Sequence, residues 1–353
     1  MRYSRVHVES LGYTLPAKVV TTEAIEQRLA PVYQRLRLPE GRLELMTGIA
    51  ERRFYAPGTR PSTISIQSAR RAIEASGIDP SHFGALVHGS VCRDFLEPAT
   101  ACRVHHELGL PDSCVIYDVS NACLGLLNGI LQVANMIELG QIRAGVVVGT
   151  ESGRNLVEGT IEQLNTNTSL TRSDIKLAVA SLTIGSASAA IVLADAELTS
   201  TGNRLVGGAV HCRTEQHQLC QSDGHAELMQ TDSEKLMHEG VATGRATFES
   251  FESETGFSPA SIDRTFCHQV GVAHRKLLFD QLGLDTALDY ATLEVLGNTG
   301  SAALPITMAR GLEERPAAPG DRIAMLGIGS GINCVMLGCQ WQTTKVAGGL
   351  EEA

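Results

Sequence analysis

One cysteine, one histidine, one asparagine and a glycine-rich turn form a set that could carry out acyl chemistry. Cys123 lies where an apolar stretch, residues 114–119, gives way through Ser120-Asn121-Ala122 to a long uncharged run. His268 stands in Cys267-His268-Gln269 at the end of a second apolar stretch, and Asn298 stands in Gly297-Asn298-Thr299-Gly300-Ser301. Gly329-Ser330-Gly331 offers backbone N–H groups with little side-chain obstruction. A thiolate attacks a thioester carbonyl, N–H donors hold the resulting oxyanion, and a His with an Asn can hydrogen-bond a second, enolate-like oxygen. A free thiol has a pKa of about 8.5, so only ~3% is ionised at pH 7. A helix N-terminus lowers that pKa, and Cys123 is expected to be activated in this way. Read singly, each residue also has a plainer use. A cysteine fills a core, a histidine ends a strand as a satisfied polar group, and an asparagine makes a turn.

The elements around Cys123 follow from spacing. Residues 114–119 have strand length and β-branched content. Leu124, Leu127, Leu131, Ala134 and Ile137 recur at helical spacing, and Leu126, Ile130, Val133 and Met136 make the helix apolar nearly all round, which predicts a buried helix. Residues 144–149 form the next strand. Before this unit the pattern predicts a strand at 5–13, helices at 22–36 and 63–76, and a strand at 85–92. A loop follows, with Pro98 in the first turn of a helix running to 108. Residues 155–181 read as a polar, irregular excursion.

After Asp195 the element order repeats. It has a strand at 205–213, a helix at 235–251, a strand at 264–269, a helix at 272–282, the Asn298 turn, a helix at 303–312 and a strand at 323–326. Asn121 and Asn298 fall in matching turns; 26 residues separate Cys123 from Gly149, and 27 separate Gly300 from Gly327. The chain therefore divides into halves 1–195, with an excursion at about 151–182, and 196–353. Two mixed sheets packed through shared helices would bring both turns to one cavity on a pseudo-twofold axis.

The 353 residues are 43% hydrophobic and 19% charged, with a net charge of −10. That suits a large soluble α/β core and argues against nucleic acid as a partner. No apolar run reaches the ~18 residues of a membrane span, and no secretory signal is visible. Nine scattered cysteines, an odd number without a C-x-x-C, point to reduced thiols and a cytoplasmic protein. The run Gly327–Gly331 lacks G-x-G-x-x-G spacing and is followed by a strand pattern, so a dinucleotide loop is set aside. The contexts of papain-like cysteine proteases are absent.

Taken together, these residues resemble the thiolase superfamily and, within it, the ketoacyl synthase III branch. Val119-Ser120-Asn121-Ala122-Cys123 resembles the active-cysteine turn. Gly297-Asn298-Thr299-Gly300-Ser301-Ala302 resembles the G-N-T-S-A motif with Gly300 inserted. Thr47-Gly48-Ile49 with Arg52-Arg53 resembles T-G-I-x-x-R-R, and His268-Gln269 resembles H-Q-A-N, from which Val270-Gly271 depart. The segment from Ser90 to Pro98 resembles the one carrying the acidic residue of OleA-type head-to-head thiolases of bacterial olefin biosynthesis. The resemblance implies a five-layered αβαβα homodimer, two acyl-CoA substrates and no cofactor. It also implies that Glu97 reaches into the partner's site as a base. Removing an α-proton of pKa near ~20 at pH 7 is uphill by ~18 kcal/mol. A base together with two enolate donors meets that need. On its own, Glu97 is equally a carboxylate placed at a helix N-terminus.

The expected activity is a non-decarboxylative Claisen condensation of two fatty acyl-CoAs to a 2-alkyl-3-oxoacyl-CoA, passed on to downstream biosynthetic enzymes. The alternatives are a decarboxylating synthase using a malonyl thioester, and a Cys123-dependent acyltransferase to an alcohol or amine with His268 as base. Glu97 favours the first over the second. The Asn298 motif disfavours the third, which needs no enolate donors.

Overall fold

A computed structural model describes residues 1–222 and 229–352. Alternation along the strands sets the architecture. In the strand Ala144–Glu151, Val147 faces one core cluster while Val146 and Val148 face another. In the strand Arg322–Gly329, Ile323 and Met325 face the first cluster, and Ala324 and Leu326 face a third. Strands that bury both faces must be covered on both sides. The shared inner cluster is filled by two helices, Gly125–Glu138 and Ala303–Glu314, which are apolar nearly all round. Helices Pro61–Ser76 and Thr100–Leu108 cover the first half's outer face. Helices Ser233–Thr255 and Val272–Leu282 cover the second's. The result is five layers, αβαβα.

The sheet order records the repeat. In the first half it runs Val115–Val119, Phe83–Gly89, Ala144–Glu151, Ala187–Asp195, Val6–Leu15. In the second it runs Arg264–Cys267, Arg322–Gly329, Asn333–Gln340, Arg204–Cys212, with the same parallel and antiparallel senses. A single parallel bridge, Thr265 to Asp289, stands where the first half has its edge strand. The two ladders are not separate, as expected, but continuous through one pairing, His7 with Arg204.

Four local expectations are corrected. Residues 155–181 are not irregular but form two helices, Arg154–Thr166 and Arg172–Leu182. Val157, Ile161 and Leu164 on one face, and Ile175, Ala178 and Leu182 on the other helix, pack on Ile25, Leu29 and Val32. A Thr171/Asp174 capping box starts the second of them. The helix expected at 22–36 is two, Thr22–Arg28 and Ala30–Leu36, because Pro31 can enter only in a first turn. The strand expected at 85–92 ends at Gly89, since Ser90 Oγ turns to accept the Cys92 N–H. Pro98 precedes the next helix, which begins at Thr100; the Asp118 carboxylate accepts the Thr100 and Ala101 N–H groups and fixes the start there.

Candidate active site

The Cys123 turn is seated by backbone contact. At Gly89 a β-carbon would stand 2.6 Å from the Gly125 carbonyl carbon and oxygen, so the helix can approach the strand end this closely only with glycine at 89. Ala122, immediately before Cys123, has φ of 44°, a left-handed conformation that costs a non-glycine residue roughly 1–2 kcal/mol. Ile332, after the glycine turn, has φ of 52°. Both line one cavity of about 850 Å³ with Cys123, His268, Asn298, Gly329 and Ser330. Backbone strain in the fold thus gathers around this cavity.

His268 follows the strand Arg264–Cys267, and its N–H donates to the Leu326 carbonyl at 3.0 Å. It is 5% exposed, and among the described residues neither ring nitrogen has a hydrogen-bond partner. Such a buried polar group costs about 1–3 kcal/mol unless something else supplies the partner. Burial, helped by His274, lowers its pKa to about 3, so the ring is neutral. Asn298 accepts the Gly300 N–H on Oδ1 at 3.0 Å, which leaves its Nδ2 as a donor without a partner among the described residues. Gln269 locks the two segments together. Its Nε2 donates to the Tyr290 carbonyl, and its Oε1 accepts the Thr292 and Leu293 N–H groups just before the Asn298 turn.

The thiol departs from expectation. Desolvation first, then Cys220 and Glu151, raise Cys123 to about 12, and the backbone N–H groups of Ser330 and of Cys123 itself only partly offset this. The helix N-terminus helps little, because the Leu124 and Gly125 N–H groups are already given to the carbonyls of Asn121 and Ala122. Cys123 therefore rests as a neutral thiol. Of the glycine turn, Gly329 and Ser330 line the cavity, while Gly331 makes the turn behind them with φ of 77°. Glu97 does not line the cavity of its own chain. It sits in an exposed loop with Phe95 and with Leu96, which is 92% exposed. Glu151, which the sequence reading passed over, is buried in the cavity wall. Among the described residues no cluster of potential ligands could hold a metal ion.

His88 is buried and His274 partly buried, and desolvation above all lowers both to about 4. The unfolded chain takes up protons below the ordinary histidine pKa of about 6.5, and the native state does not. Stability is therefore full above that value and is lost as pH falls, by up to about 2 kcal/mol per histidine at pH 5. Asp289, raised to about 6 by burial, opposes this as a single group, since its native form binds the proton first. The thermal midpoint should fall between pH 7 and pH 5, and His88→Gln should flatten that fall. An unchanged midpoint would show that these rings are protonated in the native state.

A five-layered fold with a cysteine turn on the cavity, a buried histidine and an asparagine donor defines a condensing enzyme of the thiolase superfamily. Residues 45–198 match the family pattern described as thiolase, N-terminal domain, and residues 253–341 match 3-oxoacyl-[acyl-carrier-protein] synthase III, C terminal. The chain belongs to the family of acyl-CoA:acyl-CoA alkyltransferases. It is 42% identical to the one from Shewanella oneidensis, across 97% of this chain and 100% of that protein. It is 34% identical to the one from Xanthomonas campestris pv. campestris, again across 97% and 100%. A crystal structure of a cysteine-to-serine variant of Xanthomonas campestris OleA with bound lauric acid and lauroyl-CoA superposes with a TM-score of 0.92 at 33% identity, covering 96% of this chain and 100% of that one.

Proposed function

We propose that this chain condenses two fatty acyl-CoAs without decarboxylation, giving a 2-alkyl-3-oxoacyl-CoA. The observation that carries the reading is the unsatisfied donor pair beside the thiol, a buried neutral His268 with no partner and the free Nδ2 of Asn298. The relatives' name and the lauroyl-CoA of the related crystal structure support the substrate class.

In the first step Cys123 Sγ bonds to the acyl carbonyl carbon, CoA leaves as its thiol, and the thiol proton of Cys123 ends on the CoA sulfur. The N–H groups of Ser330 and Cys123 hold the oxyanion. In the second step the Glu97 carboxylate of the partner subunit takes an α-proton from a second acyl-CoA. His268 and Asn298 hold the enolate oxygen, the neutral ring through its one N–H, which donates without handing over the proton. The α-carbon attacks the Cys123 thioester, and Cys123 leaves and regains a proton. A homodimer formed over the exposed Val91, Phe95 and Leu96 would carry Glu97 across. Nine unpaired cysteines suit a reducing, cytoplasmic setting.

The test is to supply one long acyl-CoA, with and without malonyl-CoA, and weigh the product. Product from acyl-CoA alone is expected; product only with malonyl-CoA would refute the reading. Within it, losing an enolate donor costs about 2.7–4 kcal/mol, so Asn298→Ala should condense at least ~100-fold more slowly while still loading Cys123. Equal damage to loading and condensation would show that Asn298 serves some other step.

A further inference from the structure

Glu151 ends the strand Ala144–Glu151 and is 5% exposed. Neither step above uses it. Among the described residues it has no ion-pair partner, and burial raises its pKa against the hydrogen bonds it receives. Its Oε1 accepts the Val91 N–H at 3.1 Å and the Ser301 N–H at 3.3 Å, and lies 2.6 Å from Ser301 Oγ.

The proton count on Ser301 is informative. Ser301 Oγ also lies 2.9 Å from the Gly89 carbonyl oxygen. A hydroxyl has one hydrogen to give, and a carbonyl oxygen can only accept. The single Ser301 hydrogen is therefore shared between the Gly89 carbonyl and Glu151 Oε1, the oxygen that also accepts the Val91 and Ser301 N–H groups.

These bonds join segments that matter separately. Ser301 follows the Asn298 turn, and Val91 opens the loop that carries Glu97. The glycine that interrupts the G-N-T-S-A pattern fits the same arrangement. Gly300 has φ of 55°, and a β-carbon there would stand 3.0 Å from Glu151 Cγ and 3.1 Å from Cδ. The extra residue lets the asparagine turn settle against the carboxyl.

We propose that Glu151 is a positioning residue for condensation, tying the Asn298 turn and the Glu97 loop to one point in the cavity wall. This rests on the condensation reading. A shift of about 1 Å in a reacting group can slow a step by 10²-fold, and loading at Cys123 uses neither segment.

The experiment measures acyl loading by intact mass, condensation by product mass, and exchange of substrate α-hydrogens with deuterated water. Glu151→Gln keeps the length and can place its amide oxygen where Oε1 stands, accepting the Val91 and Ser301 N–H groups and the Ser301 hydroxyl, and should stay within about 3-fold of wild type in all three, with an unshifted pH profile. Glu151→Ala should load normally but condense and exchange at least about 30-fold more slowly. Ser301→Ala should show the same split, and it carries the test if Glu151→Ala does not fold. Loading and condensation slowed equally would overturn the proposal, as would Glu151→Gln failing like Glu151→Ala. Wild-type turnover with unimpaired Glu151→Ala and Ser301→Ala variants overturns this inference alone. Wild-type protein that makes no product from acyl-CoA overturns the condensation reading and this inference with it.

Discussion

Cys123→Ser should take up no acyl group from a long acyl-CoA, whereas wild-type protein gains a single adduct that maps to Cys123. The cavity explains why serine cannot substitute. Its hydroxyl is far less acidic than a thiol, and no strong base faces it. His268, lowered to about 3 by burial, is a poor proton acceptor. Loss of the nucleophile should reduce turnover by about 10⁴-fold or more. Two other thiols line the same cavity, Cys92 and Cys220, so the site of the adduct is a sharp test. Cys92 is partly buried beside Glu151; desolvation first, then the carboxyl, raises its pKa and holds it as a thiol, and its sulfur already takes the Ser152 N–H at 3.4 Å. Cys123 instead shares the cavity with His268 and Asn298 at the turn opposite Gly329 and Ser330. An adduct on Cys92 or Cys220, or one that persists in Cys123→Ser, would remove the proposed nucleophile.

Much of this arrangement was legible in the chain because it follows from periodicity. Strand alternation and the uncharged helix after Cys123 reported which faces are buried. The repeated element order then predicted that the Cys123 and Asn298 turns would share a cavity. What escaped notice depends on neighbours distant in sequence. The single pairing of His7 with Arg204 that joins the two ladders leaves no local mark. Glu151 reads as a polar strand end until Ser301, 150 positions away, is seen against it. The neutral thiol also has a tertiary cause, because the helix N-terminus that should have lowered its pKa is occupied by Asn121 and Ala122 and outweighed by burial. The two helices at 154–182 were a different kind of miss. Val157, Ile161 and Leu164 and the Thr171/Asp174 cap were visible signals, masked by the polar residues between them.

Glu97→Gln should load Cys123 at the wild-type rate yet neither condense nor exchange the substrate's α-hydrogens with deuterated water. Gln keeps the shape and hydrogen-bonding reach of the side chain but cannot accept the proton. Without that base the ~18 kcal/mol uphill step has no acceptor in the site. Within one chain Glu97 stands outside the cavity on a loop whose neighbours Phe95 and Leu96 are exposed apolar residues, an arrangement suited to reaching into a second copy. Two heterodimers separate the arrangements. In the first, a Glu97→Gln subunit is paired with a Cys123→Ser subunit, each inactive as a homodimer. If Glu97 acts across the interface, the intact cysteine of the first subunit meets the intact glutamate of the second, and one of the two sites is complete. Activity should return to about half of wild type, as expected of a twofold dimer with one working site. If Glu97 acts within its own chain, every site carries a lesion and the mixture stays inactive. In the second heterodimer, a subunit with both changes is paired with wild type. The cross-subunit arrangement then leaves no complete site, whereas the within-chain arrangement leaves the wild-type subunit intact. Complementation in the first and silence in the second are the expected pair of results. The reverse pair would refute the cross-subunit role and make Glu97 a base for its own chain, and full activity of the Glu97→Gln homodimer would leave it only a loop carboxylate.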